Sequence, residues 1–114
     1  MSRALKFVGS SRKDLSAFPD QVKQDVGHAL FVAQEGGRAP KVKTLQGFGG
    51  SGVVEIVDDH DGDTFRCVYT TRINDVIVVL HAFQKKSRRG SETARHDVEL
   101  IRMRMKTAQA MEWS

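Results

Sequence analysis

Hydrophobic and polar positions follow one period up to Gly47 and another beyond it. Ala4 to Val8 reads as a short strand. Ser11-Arg12-Lys13-Asp14 sets a hydroxyl and a carboxylate three residues apart, the pattern of a capping box, with Leu15 and Phe18 as the inward contacts of a first short helix. Pro19 suits the opening turn of a second helix, where its missing N–H is not needed. Val22, Val26, Leu30 and Ala33 recur there at helical spacing, and Gly36-Gly37 ends the run. The two helices form an N-terminal α-hairpin over residues 11–35.

After Gly47 the pattern is that of strands. Val53 to Val57 is the first, and Asp58-Asp59-His60-Asp61-Gly62 reads as a turn. Asp61-Gly62 is a strong hairpin signal, because glycine accepts the positive φ such a turn needs. Asp63 to Thr71 is the next strand, Ile73-Asn74-Asp75 a turn, and Val76 to Phe83 a third strand. Val76 to Leu80 is apolar at every position, which places it centrally. Ser91 is a candidate cap for a last helix, with Ala94, Val98, Ile101, Met105 and Ala108 as its buried stripe. The expectation is an α+β fold. It has a small twisted, mainly antiparallel sheet of four or five strands, the hairpin on one face, and a C-terminal helix.

Composition narrows the class. The 114 residues fit one domain, 1–114, with 39% hydrophobic and 28% charged residues, an ordinary globular balance. No apolar run approaches the ~20 residues that cross a bilayer, and no apolar segment follows the charged N-terminus as in a secretory leader. Cys67 is the only cysteine, so no internal disulfide forms and a reducing cytoplasm is the natural setting. Net charge is +4. Lys/Arg and Asp/Glu balance through residue 80, and the excess falls in Lys85, Lys86, Arg88, Arg89, Arg95, Arg102, Arg104 and Lys106. A local basic field points to a polyanionic partner; a solvated helix face with incidental charge is the bland alternative.

Candidate chemistry follows from these placements. Gly47, Gly49, Gly50 and Gly52 surround Phe48 without the lysine of a phosphate loop, so they read as a loop entering a strand. Asp58, Asp59, His60, Asp61 and Asp63 lack calcium-loop spacing and read as a solvated acidic turn rather than a metal site. Arg66 stands out inside an apolar strand. Either it makes a structural pair, as with Glu55, or it projects into a site. Strand alternation puts His81, Phe83 and Lys85 on one face and Lys86 on the other.

Three segments carry a resemblance to a known family. They are Leu45-Gln46-Gly47, then Thr64-Phe65-Arg66-Cys67-Val68-Tyr69, then Val79-Leu80-His81-Ala82-Phe83-Gln84-Lys85-Lys86-Ser87 before a helix. In this order they resemble the HigB-like branch of the RelE/ParE toxin superfamily, which includes many phage-derived proteins. The resemblance implies a type II toxin that enters the ribosomal A site and cleaves mRNA without metal or cofactor, with a helix-turn-helix antitoxin as its partner. It implies that Arg66 contacts the scissile phosphate and that Lys85 and Lys86 bind phosphate or stabilise the transition state. His81 is a candidate acid/base, or else a core histidine with one hydrogen bond. Arg88, Arg89 and Arg95 are candidate RNA-binding cations. Two departures stand against the pattern. Val57 occupies a position where relatives often carry arginine, and no tyrosine or histidine follows the last strand in a catalytic place. Members that poison gyrase without cutting RNA, or that only bind an antitoxin, are the alternatives.

Overall fold

A computed structural model describes residues 2–50, 52–85 and 93–111. The elements run β1 (Ala4–Phe7), α1 (Ser11–Ser16), α2 (Asp20–Gln34), β2 (Val42–Thr44), β3 (Val53–His60), β4 (Asp63–Ile73), β5 (Val76–Lys85) and α3 (Arg95–Ala110). They give an α+β fold with one five-stranded sheet in the order β1-β5-β4-β3-β2. All neighbours are antiparallel except β1 and β5, which run parallel.

The turns that join the long strands follow from local chemistry. Asp61 and Gly62 both take positive φ, 49° and 84°, as a two-residue hairpin between right-twisted strands requires. β3 extends to His60, however, and absorbs the first residues of the expected acidic turn. Asp58 is fully buried there, because its register partner Phe65 faces the core and Lys41 Nζ meets its Oδ1 at 2.7 Å. The solvated-turn reading therefore fails for Asp58. The expected capping box does not form: Ser10, not Ser11, precedes α1 and donates to the Asp14 side chain at 2.7 Å without capping a backbone N–H, while Ser11 donates to the Val79 carbonyl at 3.1 Å.

Each face of the sheet has its own core. On one, Val22, Val26, Ala29, Leu30 and Ala33 of α2 pack on Ile56, Phe65, Cys67, Tyr69, Ile77 and Val79. On the other, Ile101, Met105 and Ala108 of α3 pack on Val53, Val68, Val78 and Leu80. β5 is buried on both sides because helices cover both faces, which explains its unbroken apolar run. Among the described residues, no helix is long and apolar enough to cross a membrane.

Candidate functional site

Register fixes which side chains share the α3 face. Lys43, Glu55, Val68 and His81 lie in one row across β2 to β5. Val57, Arg66 and Phe83 form the next row, and Thr64 and Lys85 belong to a third. Arg66 and Glu55 thus meet diagonally across the β3–β4 pair. Arg66 Nη1 donates to Glu55 Oε1 at 2.7 Å and to Thr93 Oγ1 at 3.0 Å. Thr93 Oγ1 in turn donates to Glu55 Oε2 at 2.5 Å. Lys43 Nζ stands 3.8 Å from Glu55 Oε1.

This cluster is buried: Arg66 is 2% exposed and Glu55 0%. A lone charge would not persist at such a position, since ion desolvation costs several kcal/mol unless a partner and further hydrogen bonds compensate. The pairing alternative for Arg66 is thus realised. It leaves the guanidinium on the α3 face of the sheet, bonded to Thr93. Beside it opens a cavity of about 360 Å³ lined by Lys43, Thr44, Leu45, Gln46, Glu55, Thr93 and Val98.

His81 lies two strands from Glu55, about 10 Å at normal strand spacing. Its ring stacks on Phe83 with centroids 4.4 Å apart. Nε2 lies 2.8 Å from Asp97 Oδ1, and Arg104 Nη1 approaches Nδ1 at 3.4 Å. These partners fit a neutral ring whose Nε2–H donates to Asp97 and whose Nδ1 accepts from Arg104. Burial lowers the His81 pKa, with the Asp97 bond opposing that shift. Arg104 also donates to the Leu80 carbonyl at 2.9 Å and to Ser10 Oγ at 3.0 Å. Gly9 makes room for it: with φ +61°, a Cβ there would lie 2.8 Å from Arg104 Nε.

The basic segment therefore divides. Lys85 is half-buried on the Arg66 face. Arg95 is exposed and pairs with Glu99 at 3.1 Å. Arg104 fastens α3 to the sheet, and Arg102 donates to the Gly47 carbonyl at 3.3 Å while its guanidinium carbon sits 5.0 Å over the Phe48 ring. Lys86, Arg88, Arg89 and the candidate cap Ser91 lie outside the described residues. Thr93, Lys43 and Asp97 were not evident as site residues from the sequence.

On the opposite face, Asp58 and Asp25 interact beside Lys41. Burial raises the Asp58 pKa, whereas its hydrogen bond to Lys41 raises that of the lysine. Among the described residues, no group of three or more His, Cys, Asp or Glu is arranged to hold a metal ion.

Residues 13–106 match the family described as phage-derived protein Gp49-like (DUF891). Among solved structures, the chain is similar to a free-state arginine-to-alanine double mutant of the E. coli toxin RelE. The identity is 18%, the TM-score 0.59, and the alignment covers 94% of this chain and 98% of that one. A chain of the Mycobacterium tuberculosis toxin–antitoxin complex RelBE2 aligns over 75% of this chain and 100% of its own, at 20% identity and a TM-score of 0.48. No curated protein matches.

Proposed function

The chain belongs to the Gp49-like phage-derived protein family, and from that membership, its RelE-like fold and its Arg66 cluster we propose that it is the toxin of a type II toxin–antitoxin system. The activity proposed is ribosome-dependent, metal-independent cleavage of mRNA in the cytoplasm. The observation that carries this reading is the charged Glu55–Arg66–Thr93 cluster buried on the α3 face of the sheet.

The reaction is an internal transfer at phosphorus within the RNA. The RNA 2′-oxygen bonds to phosphorus and the bond to the 5′-oxygen breaks, leaving a 2′,3′-cyclic phosphate and a 5′-hydroxyl. One proton leaves the 2′-hydroxyl and one reaches the 5′-oxygen. Negative charge builds on the phosphoryl oxygens between these states, and cations aimed at them lower the barrier. Arg66 would supply a planar, permanently charged donor set once a phosphate oxygen takes the place of the Thr93 hydroxyl on Nη1. Glu55 would hold that guanidinium in line. Lys85, on the same face, and Lys86 would follow the charge to the leaving oxygen, while Arg88, Arg89 and Arg95 would bind flanking phosphates. His81 carries a condition: Nδ1, the unprotonated ring nitrogen, must leave Arg104 before it takes a proton.

One observation favours a second reading. With Arg66 only 2% exposed, the protein would act by binding alone, as a ParE-like gyrase poison or an antitoxin-binding relative without activity. Induction in cells, with RNA 5′-end mapping and co-expression of an adjacent helix-turn-helix protein, separates the readings. New 5′ ends within translated codons, suppressed by that partner, support the ribonuclease. Growth arrest with intact mRNA and broken DNA supports the gyrase poison.

A further inference from the structure

A second cavity opens on the α2 face of the sheet, away from Arg66. It measures about 260 Å³ and lies between Asp25 and Ala29 of α2, Ala39 and Pro40 before β2, and Ile56 and Asp58 of β3. Asp58 is fully buried yet lines this space, because its register partner Phe65 packs toward α2. Lys41 Nζ takes Asp58 Oδ1 at 2.7 Å. Asp58 Oδ2 has no hydrogen-bond donor among the described residues. The acid that acts on Asp58 is Asp25, whose own Oδ1 is held by Gln21 Nε2 at 3.0 Å. Each acid thus gives one oxygen to a donor, and the two interact through what remains.

A buried carboxylate oxygen without a donor is costly, and a second carboxylate beside it adds to the cost. A proton or a cation between the two acids relieves both. Burial pushes the Asp58 carboxyl above its ordinary range, while hydrogen bonds from Asp58 and Gln21 hold Asp25 below it. With both acids ionised, the Lys41 ammonium leaves one negative charge uncompensated.

These features select a ligand class. A guest with one positive charge balances the site, and a divalent ion exceeds it. Ala29, Ala39, Pro40 and Ile56 supply none of the side-chain oxygen ligands a hard cation requires, but they suit a chain of methylenes. The volume lies below the roughly 300–1,000 Å³ of clefts that hold drug-sized ligands, so the guest is the size of a side chain. Acceptors on two separate carboxylates call for two donors fixed in one plane. A guanidinium carries them rigidly, whereas an ammonium is a point charge.

We propose that this cavity binds an alkylguanidinium group: its N–H groups bridge Asp25 and Asp58, and its alkyl chain lies along Ala29, Pro40 and Ile56. The site is on the opposite face of the sheet from Arg66 and does not depend on the ribonuclease reading.

The test titrates n-butylguanidinium, n-butylammonium and Mg²⁺ into the full chain at neutral pH and follows the methyl resonances of Ala29 and Ile56 by NMR. Butylguanidinium should move both methyls at millimolar concentration. Butylammonium should bind about tenfold more weakly, the worth of one charge-assisted hydrogen bond, and Mg²⁺ should leave the methyls in place. Asp25→Asn changes a half-exposed residue and should weaken butylguanidinium about tenfold in a protein whose urea midpoint shows it folded. Asp58→Asn keeps the shape of the buried acid and should weaken it at least as much. An arginine-containing tripeptide blocked at both ends separates the two sources of the group. Binding as tight as that of butylguanidinium assigns the site to an arginine side chain of a partner, and binding of butylguanidinium alone assigns it to a free small molecule. If the acids instead share a proton, butylguanidinium moves neither methyl and the proposal is overturned. Equal binding by either folded variant, or displacement of butylguanidinium by Mg²⁺, overturns it as well.

Discussion

Replacing Glu55 by glutamine leaves Arg66 nearly isosteric surroundings but removes the carboxylate charge 2.7 Å from Nη1. Both side chains are withdrawn from water, at 0% and 3% exposure, so solvent does not screen the loss. Nη1 also donates to the neutral Thr93 hydroxyl at 3.0 Å, which carries no countercharge of its own, and Lys43 adds like charge. Removing one member of a buried ion pair costs about 3–5 kcal/mol. The substituted amide still offers a carbonyl oxygen, which puts the expected cost at the lower end, about 3 kcal/mol. With a urea slope of roughly 1.5–2 kcal/mol per molar, the unfolding midpoint should fall by about 1.5–2 M. Urea titration followed by circular dichroism measures it. The double replacement Glu55→Leu with Arg66→Met should recover most of the loss, since an apolar pair needs no compensation. A midpoint within a few tenths molar of wild type for Glu55→Gln alone would refute the claim that the pair is buried and mutually dependent.

Three further outcomes follow from the same geometry. Arg66→Ala, and Lys85→Ala combined with Lys86→Ala, should lower toxicity about a hundredfold while antitoxin binding persists, read by plating efficiency and pull-down. For His81, burial sets the folded pKa below the ordinary 6.5. The unfolded chain then binds the proton first, so its contribution is present above 6.5 and is lost as pH falls through the lower folded value. Urea midpoints should decline on that acid limb, and His81→Gln should flatten it. The Cys67 thiol, pushed up to about 12 by full burial, should resist thiol-specific reagents until the protein unfolds; rapid modification of native protein would contradict the packing.

Much of this fold was legible because its signals are local. Asp61-Gly62 marks the β3–β4 hairpin, and the apolar run from Val76 to Leu80 marks the central strand. β2 was not legible: three residues, Val42–Thr44, are strand only through their pairing with Val54 to Ile56. Nor was the extension of β3, since Asp58 belongs in a strand only when Lys41, seventeen residues earlier, meets it. The same division holds at the site. Glu55 was visible as a partner for Arg66 because both sit on strands of readable alternation. Thr93 was not, since it reaches Glu55 across 38 residues and carries no motif. Arg102 and Arg104 counted toward a basic field in the sequence, yet each is held by the protein's own groups. Local charge density does not distinguish a cation awaiting phosphate from one already satisfied.

The central claim is that this face cuts mRNA on the ribosome and that Arg66 serves the cut. The direct measurement incubates purified wild type and Arg66→Ala with ribosomes stalled on a defined mRNA and maps the RNA ends. Folding of the variant is checked by urea titration. The account predicts cleavage within the A-site codon by wild type, products ending in a 2′,3′-cyclic phosphate, and about a hundredfold less cutting by a folded Arg66→Ala. Intact mRNA with wild type, or full cleavage by the folded variant, would contradict it.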